Sequence, residues 1–140
     1  MQKSTQELLK TLQSKQDIRS YLEENQKELL SNSLPQLLEE LLQQKQLTKA
    51  KVIERANLDR VYAYQIFSGM RSPSRDKLLQ LCLGMKTTVE EAQQLLHAAG
   101  QAPLYPRDKR DSILLFEFHQ QISVIEVNSL LADLEEKLLS

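Results

Sequence analysis

The chain has 140 residues and nearly balanced charge, 18 Lys and Arg against 19 Asp and Glu, with no Trp and one Cys. Three Gly and four Pro leave little material for strand turns, while Gln, Glu, Leu and Lys abound and favour helix, so an all-α fold is expected. No apolar run approaches the ~20 residues that cross a bilayer, and the polar start MQKSTQELLKTLQ lacks a signal-peptide core, so a soluble, cytoplasmic protein without membrane contact is expected.

Residues 1–32 read as an N-terminal helical arm, one helix or two, with a weak apolar stripe through Leu8, Leu9, Leu12, Ile18, Tyr21, Leu22, Leu29 and Leu30. Asp17 is placed to open a second segment. SNSLPQ is a break and restart, with Ser33 as cap and Pro35 in the first turn, where its missing amide costs least. Leu34, Leu37, Leu38, Leu41 and Leu42 then predict an amphipathic helix to about Lys45.

Thr48–Gly69, TKAKVIERANLDRVYAYQIFSG, reads as two short helices and a tight turn. Thr48 is an N-cap, Val52, Ile53 and Ala56 share one face, and Asn57 tolerates the left-handed backbone that ends a helix. Asp59 caps the second helix, over residues 60–68, where Ala63 and Ile66 face inward with Phe67 beside them, and Gly69 closes it. This is a helix-turn-helix pattern, and its charge separates it from a generic helical hairpin. Lys45 to Lys77 hold eight basic and three acidic side chains, a net +5, whereas both flanks are acidic, as expected if one face meets a polyanion.

Further on, Pro73 lies in a loop, Ser74 caps and Asp76 sits in the first turn of a mostly buried helix that carries Cys82 as a small core residue and loosens at Gly84. Thr88 with Glu91 makes a capping box for a helix through Ala99, which Gly100 stops. Gln101 to Asp111 reads as a connector with a charge cluster, Asp108, Lys109, Arg110 and Asp111, either a loop salt-bridge network or an anion site. A helix from about Ile113 follows, then a second capping box, Ser123 with Glu126, and a last helix presenting Val124, Val127, Leu131, Leu134 and Leu138 as core or as a partner-helix seam. No internal repeat is visible. The expected organisation is an arm at 1–32, a helix-turn-helix domain at 33–100 and a C-terminal helical extension at 101–140, packed on the domain or in a dimer interface.

Leu34 to about Met85 resembles the phage-repressor (XRE) helix-turn-helix family, typified by lambda repressor. The resemblance lies in the order LT, VIERANLD, an apolar-rich helix ending in IFSG, then RSPSRDKLLQLC, and it reaches five helices if Thr88–Ala99 is counted. The tail, with APLYP, KRD and the segment from Ser123 to Leu131, looks like a bacterial subgroup of that family. The resemblance implies a lambda-repressor-like DNA-binding domain, double-stranded DNA as partner, a role in transcription regulation and a two-fold homodimer on a palindrome. The departures are Asn57-Leu58-Asp59 where Gly-Val-Ser is usual, Lys49 in place of a frequent Gln, and Ala63 flanked by Tyr62 and Tyr64, with Tyr62 filling volume that Ala63 leaves.

If residues 60–68 enter a major groove, periodicity exposes Arg60, Val61, Tyr64, Gln65 and Ser68. Arg60 suits guanine, Gln65 adenine and Val61 a thymine methyl, with Tyr64 beside them, so these four are the candidate base contacts. Lys45, Thr48, Lys49, Ser68, Arg71 and Arg75 are the candidate phosphate contacts, which position the protein. An enzyme is not expected, nor a metal or cofactor: His97 and His119 are isolated and no phosphate-binding glycine loop is present. The competing reading is a protein-interaction module, an antitoxin, anti-repressor or adaptor, with the same fold and a partner on the N-terminal arm or the C-terminal helices.

Overall fold

A computed structural model describes residues 33–140, which form one unit; the expected N-terminal arm and its Asp17 cap lie outside the described residues. The described residues contain seven helices and no strand: α1 Leu34–Lys45, α2 Lys49–Ala56, α3 Arg60–Ser68, α4 Arg75–Gly84, α5 Val89–Ala98, α6 Lys109–Gln120 and α7 Val124–Asp133. No helix among them is long and apolar enough to cross a membrane.

Every helix opens on a polar side chain that accepts a first-turn amide: Ser33, Thr48, Asp59, Ser74, Thr88, Asp108 and Ser123. The expected starts of α1 to α5 agree with this within a residue. Helix α6 starts four residues earlier than its apolar run suggests, because the Asp108 carboxylate accepts the Asp111 amide at 2.9 Å and draws the charged segment into the first turn. At α7 only half of the expected box forms: Ser123 accepts the Glu126 amide, and no return bond from Glu126 is made.

Helix α2 packs on α4 and α3, α1 packs on α3 and α5, and α4 packs on α5. The closest crossing is α2 on α4. A Cβ added at Gly84 would lie 2.6 Å from the Val52 carbonyl oxygen, so Gly84 is a contact residue rather than the loosened helix end expected from sequence. Each of these helices also satisfies a carbonyl at the other's C-terminus. Buried Gln80 donates to the Ala56 carbonyl at 3.2 Å, and Arg55 donates to the Gly84 carbonyl at 3.5 Å. Gly69, at φ +84°, ends α3 with its missing Cβ facing the Pro35 ring. Cys82 is fully buried, and burial pushes its thiol up to about 12, against a hydrogen bond with Thr87.

The C-terminal helices carry a symmetry that the sequence reading missed. At a constant offset of 35 positions, α4–α5 and its following strap repeat as α6–α7 and its strap: Arg75-Asp76 answers Arg110-Asp111, Leu79 answers Leu114, Val89 answers Val124, and Leu95-Leu96 answers Leu130-Leu131. Equivalent details recur. Lys86 and Gln121 both have positive φ, as do Gly100 and Glu135. The Gln93 side-chain amide clamps the Leu104 backbone through two bonds, of 2.8 and 3.0 Å, and Asn128 clamps Leu139 the same way at 2.8 and 3.3 Å. Both clamped leucines are buried.

The two halves are joined reciprocally. Arg75 makes a bidentate pair with Asp111 (3.0 and 2.8 Å), and Arg110 makes one with Asp76 (3.0 and 2.9 Å). Arg75 also donates to the Ala102 and Pro103 carbonyls, Arg110 to those of Lys137 and Leu138. Helix α4 packs on α7, and its counterpart α6 packs on α5. Contact of i with j matched by contact of j with i is the signature of a two-fold relation, so a pseudo-dyad runs between the paired Arg-Asp dipeptides. The cluster at 108–111 is therefore neither a local loop network nor an anion site: Arg110 and Asp111 bond across to α4.

The symmetry also ends the apolar stripe of α7 early. The helix stops at Asp133, Leu134 and Leu138 are exposed, and Leu139, the counterpart of Leu104, enters the core instead. Leu139→Ala should cost about 2–4 kcal/mol in chemical denaturation, whereas Leu138→Ala should stay within about 0.5 kcal/mol. Burial raises the Asp76 carboxyl, but the Arg110 hydrogen bonds and charge outweigh it and hold the group below its ordinary 3.8. A lowered folded pKa contributes stability above the unfolded value and loses it as pH falls through the folded one. The stability gap between the protein and Asp76→Asn should therefore be widest above pH ~5 and shrink through the acid limb of a pH series.

Candidate nucleic-acid interface

Helix α3 is fixed by three buried side chains, Ala63, Ile66 and Phe67, which turn its other face outward. Arg60, Val61, Tyr64 and Ser68 are exposed and Gln65 is half-buried, the face that periodicity predicts. Val61 keeps 66 % of its surface and Tyr64 37 %. Tyr62 is half-buried and packs on the core beside the small Ala63, so an aromatic ring supplies bulk where an aliphatic one is absent.

Cations rest on the aromatic rings of this helix. The Arg60 guanidinium lies 5.7 Å from the Tyr64 ring centroid, Arg71 lies 5.6 Å from Tyr62, and the Lys49 ammonium lies 5.6 Å from Phe67. Such stacking is worth about 0.5–1 kcal/mol at exposed sites, enough to bias a side chain without removing its charge from solvent. The first pair follows i, i+4 spacing along α3 and is legible in sequence. The second is not. The chain turns at Gly69, the Arg71 amide donates to the Gln65 carbonyl at 3.2 Å, and this returns the arginine along the helix it has just left.

The remaining sequence-predicted positions divide by what already holds them. Thr48 accepts the Lys51 amide as the cap of α2, and Ser68 donates to the Gln65 carbonyl and accepts from Met70, so both hydroxyls serve the backbone. Lys45 reaches Glu91 at 2.9 Å and the Lys86 carbonyl at 3.4 Å, which joins α1 to the start of α5 and spends its charge there. Arg75 is committed to Asp111 and two carbonyls at the pseudo-dyad. Lys45 and Arg75 thus leave the set of cations free for an outside anion. Lys49 has only a loose partner, Glu39 at 3.7 Å. Lys51 and Met70, neither singled out from sequence, are exposed on α2 and just past α3, Met70 at 80 %.

The net result is a face with Arg60, Val61, Tyr64 and Gln65 in a row, and Lys49 and Arg71 held against the same helix. It can offer bidentate donors, an amide and an apolar edge to a ligand, and two cations to a polyanion. No protein-family model, curated protein or solved structure matches the chain. The face must therefore be interpreted from its own chemistry. Among the described residues, no group of His, Cys, Asp and Glu could hold a metal ion.

The two classes of arginine separate experimentally. Arg75→Ala strands a largely buried Asp111 and should destabilise the fold by roughly 3–5 kcal/mol. Arg71→Ala should change stability by less than about 1 kcal/mol, since it loses only an exposed stacking contact. Equal losses in thermal or urea unfolding would contradict this division.

Proposed function

We propose that the chain is a sequence-specific double-stranded DNA-binding regulator of transcription, a lambda-repressor-like helix-turn-helix protein whose α3 enters the major groove. The observation that supports this reading is the outward face of α3: Arg60, Val61 and Tyr64 exposed and Gln65 half-buried, with Lys49 and Arg71 resting on rings of the same helix. Helices of this size fit a major groove with their N-terminal residues at base edges. Arg60 pairs with guanine O6 and N7, Gln65 with adenine N6 and N7, and Val61 meets a thymine methyl. Lys49 and Arg71 neutralise phosphates, and the first-turn amides of α2 point the same positive end at the backbone.

A second reading, a protein-interaction module with this fold, has its own support in the exposed apolar groups Val61 and Met70 on or beside α3. Salt dependence tells the two apart. A duplex bound through about two to four phosphate charges should lose affinity on the order of 10- to 100-fold between 50 and 200 mM salt. Lys49→Ala with Arg71→Ala should weaken binding to every sequence and flatten that slope by about 2. Gln65→Ala should instead change which sequence is preferred. Absence of duplex binding at low salt would remove the regulator reading and leave the interaction module.

A further inference from the structure

A two-fold interface made by one chain alone has a consequence for how that chain meets DNA. In a homodimer, an isologous interface pairs one patch with its copy on a second protomer. Here both patches lie in one polypeptide. Arg75-Asp76 meets Arg110-Asp111, and the strap amides of Tyr105 and Ser140 reach the two carboxylates reciprocally, Tyr105 to Asp111 at 3.0 Å and Ser140 to Asp76 at 3.3 Å. Helix α6 covers α5 and α7 covers α4. The paired face of α4–α5 is covered by the chain's own repeat, with each arginine and carboxylate of the quartet already paired.

The repeat stops short of doubling the reading helix. Helix α4 receives α2 against Gly84, and Leu81 one turn earlier is fully buried. The equivalent positions on α6 are His119 and Phe116, both exposed, with an imidazole where the close helix crossing needs a bare Cα. No helix pair of residues 33–140 occupies that place. The pseudo-symmetric body therefore carries one recognition helix.

We infer that the chain reads DNA as a monomer, on a single asymmetric duplex site without two-fold symmetry, with α6–α7 standing inside the chain where a dimer partner would sit. This inference rests on the DNA-binding reading above, and it replaces the palindrome and homodimer that the family resemblance implies. One α3 per complex limits the base contacts to Arg60, Val61, Tyr64 and Gln65, so the recognised site is short, one face of one major-groove segment.

The test is selection of bound sites from random duplex by the 140-residue chain, followed by light-scattering mass of the free chain and of its complex with the selected duplex. The expected result is a motif with no inverted repeat, a free mass of one 16.2 kDa chain across micromolar concentrations, and one chain added per duplex. An inverted repeat with half-sites about one DNA turn apart, or two chains per selected duplex, would overturn the monomer proposal and leave the DNA reading intact. Failure to enrich any duplex would overturn both, with the free mass then reporting only on self-association.

Discussion

Two arginine–aspartate pairs hold the C-terminal half of this protein to the rest. Each is bidentate, each is mostly withdrawn from water, and each arginine spends its remaining donors on carbonyls of a strap that follows a helix. Desolvating four charges is expensive, and it is offset here only because every carboxylate oxygen and most guanidinium N–H groups find a partner. The arrangement places α6 against α5, α7 against α4, and both straps over the junction. Geometry of this kind specifies one docking register: a slip of one residue in either helix would leave a guanidinium and a carboxylate buried without partners.

That constraint also decides which charges face outward. Arg75 lies within the net-positive segment and by sequence is a candidate phosphate ligand with Asp76 as a competing local partner, yet its partner is the distant Asp111 and Arg71 is the exposed cation. Lys45 is likewise drawn to Glu91, which already caps α5. The basic centre of the chain thus divides into a structural set, Lys45, Arg55 and Arg75, and a solvent-facing set that includes Lys49, Lys51, Arg60 and Arg71. Of the second set, Lys49, Arg60 and Arg71 rest on rings of α3, so the body that consumes the first set also leaves the outward side of α3 charged.

Tyr62 and Tyr64 fit the same picture. Tyr62 supplies bulk beside Ala63 and a ring for Arg71, and Tyr64 supplies a ring for Arg60. An arginine resting on an aromatic face has fewer rotamers to lose when it meets a base or phosphate, which lowers the entropic cost of contact. The two tyrosines therefore change how the outward arginines are held, while the buried trio Ala63, Ile66 and Phe67 keeps the helix in place.

Local chemistry alone determined a good deal of this protein. Caps are short-range, so Ser33, Thr48, Asp59, Ser74 and Thr88 placed the starts of five helices, and three- and four-residue spacing separated the buried from the exposed side of α3. The repeat was not legible, because its identities are few and spread among leucine-rich helices where many registers align equally well. Arg75 and Arg110 also differ from other surface arginines only by what tertiary packing brings to them, across 36 and 34 residues of chain. Leu139 displaces Leu138 from the core for the same reason: Asn128 clamps its backbone after the helix has ended, and helical periodicity has no information about a chain that is no longer helical. Sequence thus placed the first five described helices and the outward face of α3. The pairing of the two halves, and with it which cations remain free, was decided by long-range electrostatics that only the folded chain assembles.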